Sequence, residues 1–86
     1  METGTIVLSM AGRDEGRLFL VVGEPEENFR LIADGKLRLL AKPKCKKLKH
    51  LKQVGYSEEL AERIKEKKLT DRLLKQKLKL FYEKAE

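Results

Sequence analysis

Two apolar runs separated by a glycine-bounded loop constrain the fold of this chain more than any other feature. Residues 5–10 read TIVLSM, residues 17–23 read RLFLVVG, and the loop Gly12–Gly16 lies between them. β-Branched and aromatic residues favour strands, and a tight loop between antiparallel strands needs glycine where φ becomes positive. The pattern predicts a hairpin whose second strand is enclosed on both sides or curled into a small barrel.

A third strand is predicted over Phe29–Ala33, after a polar turn at 24–28 that contains a proline. Asp34 and Gly35 follow, and then an apolar-patterned run at 36–40. Because Asp-Gly between two such runs is a strong hairpin signal, we expect a two-residue type I′ turn leading into a fourth strand. The alternation predicts a basic, exposed face of Arg30, Lys36 and Arg38, and a buried face of Leu31, Leu37 and Leu39. Short strands with tight turns indicate a small β-barrel.

The second half of the chain has a helical pattern. Ser57 and Thr70 can each cap a helix, and acidic residues follow both of them, where the helix dipole favours negative charge. The spacing predicts helices over 57–68 and 70–85, joined at Leu69. Apolar residues then recur at helical spacing, for which packing in the core or on a partner is the expected role: Leu74, Leu78, Phe81 and Tyr82. For Phe81 and Tyr82, stacking on RNA is the alternative.

The positive charge of the chain is concentrated in one segment. Residues 42–52 read KPKCKKLKHLK, with six lysines and no acid. Residues 1–41 carry five basic and seven acidic side chains, a sum of −2, and residues 57–86 carry nine and seven, a sum of +2. A local excess of positive charge attracts phosphate and releases counterions, so this segment predicts a nucleic-acid partner. The alternative to a nucleic-acid partner is a solvated linker whose lysines only keep the protein in solution.

Composition argues against several other classes of protein. Charged residues make up 40% of the 86-residue chain, against a usual value of about 25%, so the core is small and leaves little room for a catalytic pocket. No run of 18 apolar residues is present, and the first residues lack the basic start of a secretory signal. A single cysteine fits a reducing compartment, so a cytoplasmic protein without a membrane span is expected.

The candidate reactive side chains lack the partners that chemistry would require. His50 has no Cys or His at metal-ligand spacing, and both RNA contact and half-buried packing stay open for it. Cys45 lies between lysines that can activate a thiol, but no base or orienting acid is near it in sequence. Asp14, Glu15 and Asp34 are best explained as turn residues. No catalytic residue, metal or cofactor is therefore expected.

The strand–loop–strand unit resembles the KOW motif of ribosomal and transcription-elongation proteins. The likeness lies in the apolar residues 6–10, the Gly-Arg-Asp-x-Gly loop at 12–16 and the apolar residues 18–22, and it continues through LIADGKLR at 31–38 and the lysine run. The chain is similar, over about residues 4–52, to short bacterial KOW-domain RNA-binding proteins. Glu15 departs from the pattern, because many KOW motifs carry a basic residue there. The resemblance implies an SH3-like barrel that binds RNA, with ribosomal RNA as the expected target.

The predicted organisation is an SH3-like barrel with a basic connector at 42–53, together residues 1–53, and a C-terminal helical hairpin at 54–86. The predicted function is non-catalytic RNA binding in translation. The candidate contacts are Arg13, Arg17, Arg30, Lys36, Arg38, Lys42, Lys44, Lys46, Lys47, Lys49, His50 and Lys52. The alternatives are a protein-interaction module that uses the apolar helical stripe and, with little support from the residues present, an RNA-modifying enzyme.

Overall fold

The computed structural model describes residues 1–84, and within that range it contains five strands, a 3-10 turn and two helices. The strands are β1 (Thr5–Ser9), β2 (Leu18–Glu26), β3 (Phe29–Ala33), β4 (Lys44–Lys47) and β5 (Leu51–Tyr56). The 3-10 turn is Leu48–His50, and the helices are α1 (Glu58–Lys65) and α2 (Asp71–Lys84). The fold is therefore mainly β with a helical C-terminal part, which confirms the predicted class.

The strands form one antiparallel sheet in the order β4-β3-β2-β1-β5. β1 lies between β2 and β5, so that Leu8 pairs with Leu18 on one side and with Lys52 on the other. β4 and β5 are the edge strands. In the part of the chain that the structure describes, each of them pairs with one neighbour only, so the sheet is not closed.

Apolar side chains are buried on both faces of the central strands, because successive residues of a strand point to opposite sides. One cluster lies away from the helices and consists of Val7, Phe19, Val21, Ile32 and Leu51. The other is shared by the sheet and the helices and consists of Ile6, Leu18, Leu20, Ala33, Leu60, Leu74 and Leu78. Burial on two faces explains why the sequence of β2 is almost entirely apolar at its start.

Both predicted helix caps are confirmed. The N–H of Leu60 donates to the Oγ of Ser57 at 3.2 Å, and the N–H of Leu73 donates to the Oγ1 of Thr70 at 3.2 Å. The predicted helices extended over 57–68 and 70–85, and position 85 lies outside the described residues. In residues 1–84, neither helix has the length and apolar character needed to cross a membrane.

The predicted strand at 36–40 is wrong. Residues 34–38 form a loop closed by Asp34, whose Oδ1 accepts the N–H groups of Lys36 at 2.9 Å and Arg38 at 2.8 Å. The chain therefore turns around a side chain instead of forming a two-residue hairpin. As a consequence Leu37 and Leu39, expected on a buried face, are exposed at 57% and 44%.

The lysine run is part of the sheet, whereas the sequence predicted a connector. Residues 44–47 pair with β3 along its length, from Phe29 opposite Lys47 to Ile32 opposite Lys44. After the 3-10 turn the chain continues directly into β5. The proline-containing segment 24–28 also differs from the prediction, because β2 continues through Pro25 to Glu26 and the turn is correspondingly shorter.

Candidate nucleic-acid interface

The glycine-bounded loop between β1 and β2 is held by its own backbone. The N–H of Gly16 donates to the carbonyl of Ser9 at 2.8 Å, and the N–H of Arg17 donates to the carbonyl of Asp14 at 3.1 Å. Gly12 and Gly16 have φ values of 87° and 85°, which side-chain-bearing residues rarely adopt. The predicted need for glycine at both ends of the loop is confirmed.

The side chain of Asp14, a predicted turn residue, points at β4 and bonds to other side chains. Its Oδ1 accepts hydrogen bonds from the Oγ of Ser9, at 2.8 Å, and from the amine of Lys46. Its Oδ2 lies 3.6 Å from the Nζ of Lys44. Alternation along β4 explains this arrangement, because Lys44 and Lys46 are two residues apart and share a face.

Lys46 is buried, with 7% of its surface exposed. Its amine donates to the Oγ of Ser9 at 2.7 Å, to the carbonyl of Ala11 at 2.6 Å and to Asp14. An ammonium group has three donors, and all three are used inside the protein. Lys46 therefore fastens the loop to β4, and its charge is compensated before any phosphate approaches.

The local charges keep Asp14 ionised. Burial alone would raise the pKa of this carboxyl, but the hydrogen bonds from Lys46 and Ser9 and the charges of Lys46 and Lys44 together lower its pKa from 3.8 to about 2. The Asp14–Lys46 pair is thus an ion pair throughout the neutral range, which fixes the shape of the loop.

The loop and the lysine run, 30 residues apart in sequence, meet at one shallow depression. Ala11 and Gly12 line it from the loop, and Phe29, Lys44, Cys45, Lys46, Lys47 and His50 line it from β3, β4 and the 3-10 turn. The N–H of Met10 donates to the carbonyl of His50 at 2.8 Å, which ties the 3-10 turn to the start of the loop. A second hollow beside it shares Phe29 and Lys47 and adds Lys49. We call these two hollows together the β4 surface.

Two of the predicted RNA-binding residues, Arg30 and Arg17, bond to other parts of the protein. The guanidinium of Arg30 donates to the carbonyls of Met1, Glu26, Glu27 and Phe29, so it supports the turn between β2 and β3. Arg17 pairs with Asp34 at 3.6 Å, and both lie on the side of the sheet where α2 packs. They are not among the residues that line the β4 surface.

The candidate cations thus fall into three groups by exposure. The exposed ones are Arg13, Lys36, Lys42, Lys47, Lys49 and Lys52. The half-buried ones are Arg17, Arg30, Arg38, Lys44 and His50. Lys46 alone among the candidates is buried. His50 is half-buried and lines the β4 surface, so both of its predicted roles fit the position.

Sequence reasoning missed two lysines of α2. Lys75 and Lys79 line a groove together with Tyr82, which was already a candidate, and with Arg17 and Lys36. No local pattern marks the two lysines, because lysines on the outer face of an amphipathic helix are ordinary. Only the packing of α2 against the sheet brings them beside the two residues from the first half.

The described residues hold no group of three or more His, Cys, Asp or Glu side chains close enough to share one metal ion. Cys45 and His50 line the same depression, but no hydrogen bond joins them in residues 1–84. Comparison of the sequence with models of known families and with curated proteins found no match.

Proposed function

We propose that this chain is a non-catalytic RNA-binding protein whose β4 surface contacts structured RNA, with ribosomal RNA as the expected target. The observation that carries the proposal is the meeting of the glycine loop with the lysine run. The loop that carries the KOW resemblance and the run of lysines that predicts a nucleic-acid partner lie at one surface. Lys47 and Lys49 are exposed there, and no ion pair with an acid is found for either within the described chain.

The finer assignment of the fold, an SH3-like barrel of the KOW type, is part of the same proposal. The five-stranded antiparallel order, with β1 between β2 and β5 and a 3-10 turn between the two edge strands, supports it. The position of the Gly-Arg-Asp-x-Gly loop between the first two strands also fits a KOW motif.

The chemistry of the β4 surface suits RNA more than a protein partner. Flexible exposed lysines bind phosphates, and a backbone-rich glycine loop lets an RNA strand approach closely. Phe29 is half-buried between the two hollows and offers an apolar floor. The protein-interaction alternative relied on the helical stripe, yet Leu74 and Leu78 are buried against the sheet within this chain.

The test compares two double variants with equal loss of charge. In Lys47→Gln/Lys49→Gln the β4 surface loses two exposed cations. In Lys65→Gln/Lys68→Gln the same charge is removed at exposed positions that do not line the β4 surface. Affinity for ribosomal RNA, measured by fluorescence anisotropy on the full chain, is expected to fall markedly in the first variant and little in the second. Equal affinities in the two variants would contradict the assignment of binding to the β4 surface.

A further inference from the structure

A groove lies between the first residues of β2, the Asp34 loop and α2, and it shares no lining residue with the β4 surface. Its lining includes Arg17 and Lys36 from the first half of the chain, and Lys75, Gln76, Lys79 and Tyr82 from α2. We call it the α2 groove. It combines residues that are more than 35 positions apart in sequence, so it exists only in the folded chain.

The charge of the α2 groove is strongly positive. Four cations line it, and the only acid in its lining within residues 1–84 is Asp34. Asp34 is already engaged, since its Oδ1 accepts two backbone N–H groups and its Oδ2 faces Arg17 at 3.6 Å. Lys36, Lys75 and Lys79 are exposed and take part in no ion pair among the described residues. An anionic ligand would therefore meet uncompensated charge.

Tyr82 gives the groove a rigid aromatic wall. Its hydroxyl accepts the N–H of Leu18 at 2.7 Å, which fixes the end of the side chain on β2. The residue nevertheless keeps 45% of its surface exposed. A fixed and exposed ring is a suitable platform for a planar group, because little side-chain entropy is lost when the group stacks on it.

We infer that the α2 groove is a second RNA site, which holds an unpaired nucleotide with its base on Tyr82 and its phosphates on the lysines of α2. This inference rests on the proposed function, since it assigns a second contact to the same RNA. Exposed cations beside an aromatic platform are typical of single-strand binding, in which the base stacks and the backbone follows the positive charge. An acidic polypeptide would use the lysines but has no comparable use for the ring.

The experiment uses the full chain and a single-stranded oligouridylate as the probe. Two variants change the groove: Tyr82→Ala, and Lys75→Gln/Lys79→Gln. Each has a matched control. Tyr56→Ala removes the other tyrosine, which is exposed to a similar extent at 48%, and Lys65→Gln/Lys68→Gln removes equal charge from outside the groove. Tyr82→Phe keeps the ring and loses only the hydroxyl, and thermal melts of all variants report whether they fold.

The ring can also be observed directly. The chain has two tyrosines and no tryptophan, so in a Tyr56→Phe protein the intrinsic fluorescence comes from Tyr82 alone. Stacking of uracil is expected to quench it in a saturable way. Tyr82→Ala is expected to weaken binding by roughly fivefold or more, since stacking on an aromatic side chain contributes about 1–3 kcal/mol per base. Tyr82→Phe keeps the stacking surface but loses the hydrogen bond that fixes the ring on β2, so its affinity should lie between those of the wild type and Tyr82→Ala.

The outcomes separate this inference from the proposed function. If the wild-type chain binds RNA and the groove variants bind it as tightly as their controls do, the second site is overturned and the β4 surface stands. If the wild-type chain binds no RNA, both proposals fail. Polyglutamate is the second probe. If the groove variants lose affinity for polyglutamate but not for oligouridylate, the groove binds an acidic polypeptide, and the RNA assignment is overturned.

Discussion

The amine of Lys46 and the carboxylate of Asp14 form a buried ion pair between residues 32 positions apart in the chain. The pair joins the loop after β1 to the edge strand β4. The hydroxyl of Ser9 accepts a hydrogen bond from Lys46 and donates one to Asp14. A lysine in the most basic part of the sequence thus has a structural role. Asp14 is thus paired within the protein, and the exposed Lys47 and Lys49 form no ion pair among the described residues.

Lys46→Met should destabilise the protein by about 3 kcal/mol, because removal of one partner leaves the other charge buried without compensation. Urea unfolding measures the loss. Lys47→Met is the matched control, since Lys47 is the exposed neighbour and its loss should change stability little. The double variant Lys46→Met/Asp14→Leu should recover part of the stability, because no unpaired charge remains. If the stability loss of the double variant equals the sum of the losses in Lys46→Met and Asp14→Leu, the two residues do not interact.

The ion pair also predicts how stability depends on acid. The folded-state pKa of Asp14 is lowered from 3.8 to about 2, so its stabilising contribution is complete above pH 4 and is lost as the pH falls through about 2. The loss should amount to roughly 2 kcal/mol. Urea unfolding of the wild type and of Asp14→Asn at several acidic pH values isolates this contribution. The free energies of the two proteins should converge as the pH falls.

Other carboxyl groups also make stability depend on pH. Their contributions are the same in the wild type and in Asp14→Asn, so they cancel in the difference between the two unfolding free energies. The pKa of Glu24 is lowered by a hydrogen bond from the backbone N–H of Thr3, and that of Glu59 is lowered by a hydrogen bond from Lys77. A difference between wild type and Asp14→Asn that stays constant from pH 5 to pH 2 would contradict the assignment of the acid-sensitive term to Asp14.

The features that sequence predicted well are local. The caps at Ser57 and Thr70, the glycine positions of the first loop and the strand Phe29–Ala33 depend on neighbouring residues, which the sequence displays directly. The continuous apolar run of residues 18–22 also predicts β2, because burial on both faces removes the need for polar residues.

The features that sequence missed depend on distant partners. Asp34-Gly35 is a hairpin signal only if the next residues pair with β3, and that place is taken by β4. The run of lysines likewise does not show which of its amines pairs with an acid elsewhere in the chain, as Lys46 does with Asp14. The burial of Lys46 and the α2 groove both arise from such tertiary contacts, so they required the structure.

Two glycines with similar backbone angles should respond very differently to alanine. Gly35 and Gly16 have φ values of 78° and 85°, so each substitution carries the strain of a left-handed conformation, about 1–2 kcal/mol. A Cβ on Gly16 meets nothing within 4 Å, whereas one on Gly35 would overlap the backbone carbonyl of Asp71 at the start of α2. Gly35→Ala should therefore lose clearly more stability than Gly16→Ala in thermal melts. Equal losses would mean that the loop and the helix can separate freely.

The helices should be needed for the stability of the sheet. Leu74 is fully buried in the cluster that α2 shares with β1 and β2, and Leu74→Ala should destabilise the protein by about 2–5 kcal/mol. Leu80, on the same helix and 50% exposed, is the control, and its substitution should have little effect. Residues 1–56 alone should fold poorly, because they lack Leu60, Leu74 and Leu78. A fragment with a cooperative melt near that of the full chain would refute this.

The last prediction concerns how salt affects RNA binding. If about five phosphates are neutralised, the slope of log affinity against log salt should be about −3.5, at roughly −0.7 per contact for single strands. Lys47→Gln/Lys49→Gln should make the slope shallower by about 1.4, since both lysines are exposed at the β4 surface. Lys46→Met/Asp14→Leu should leave the slope unchanged, because that charge pair is internally balanced. A shallower slope in the latter variant, with its fold intact by circular dichroism, would show that Lys46 reaches the RNA after all.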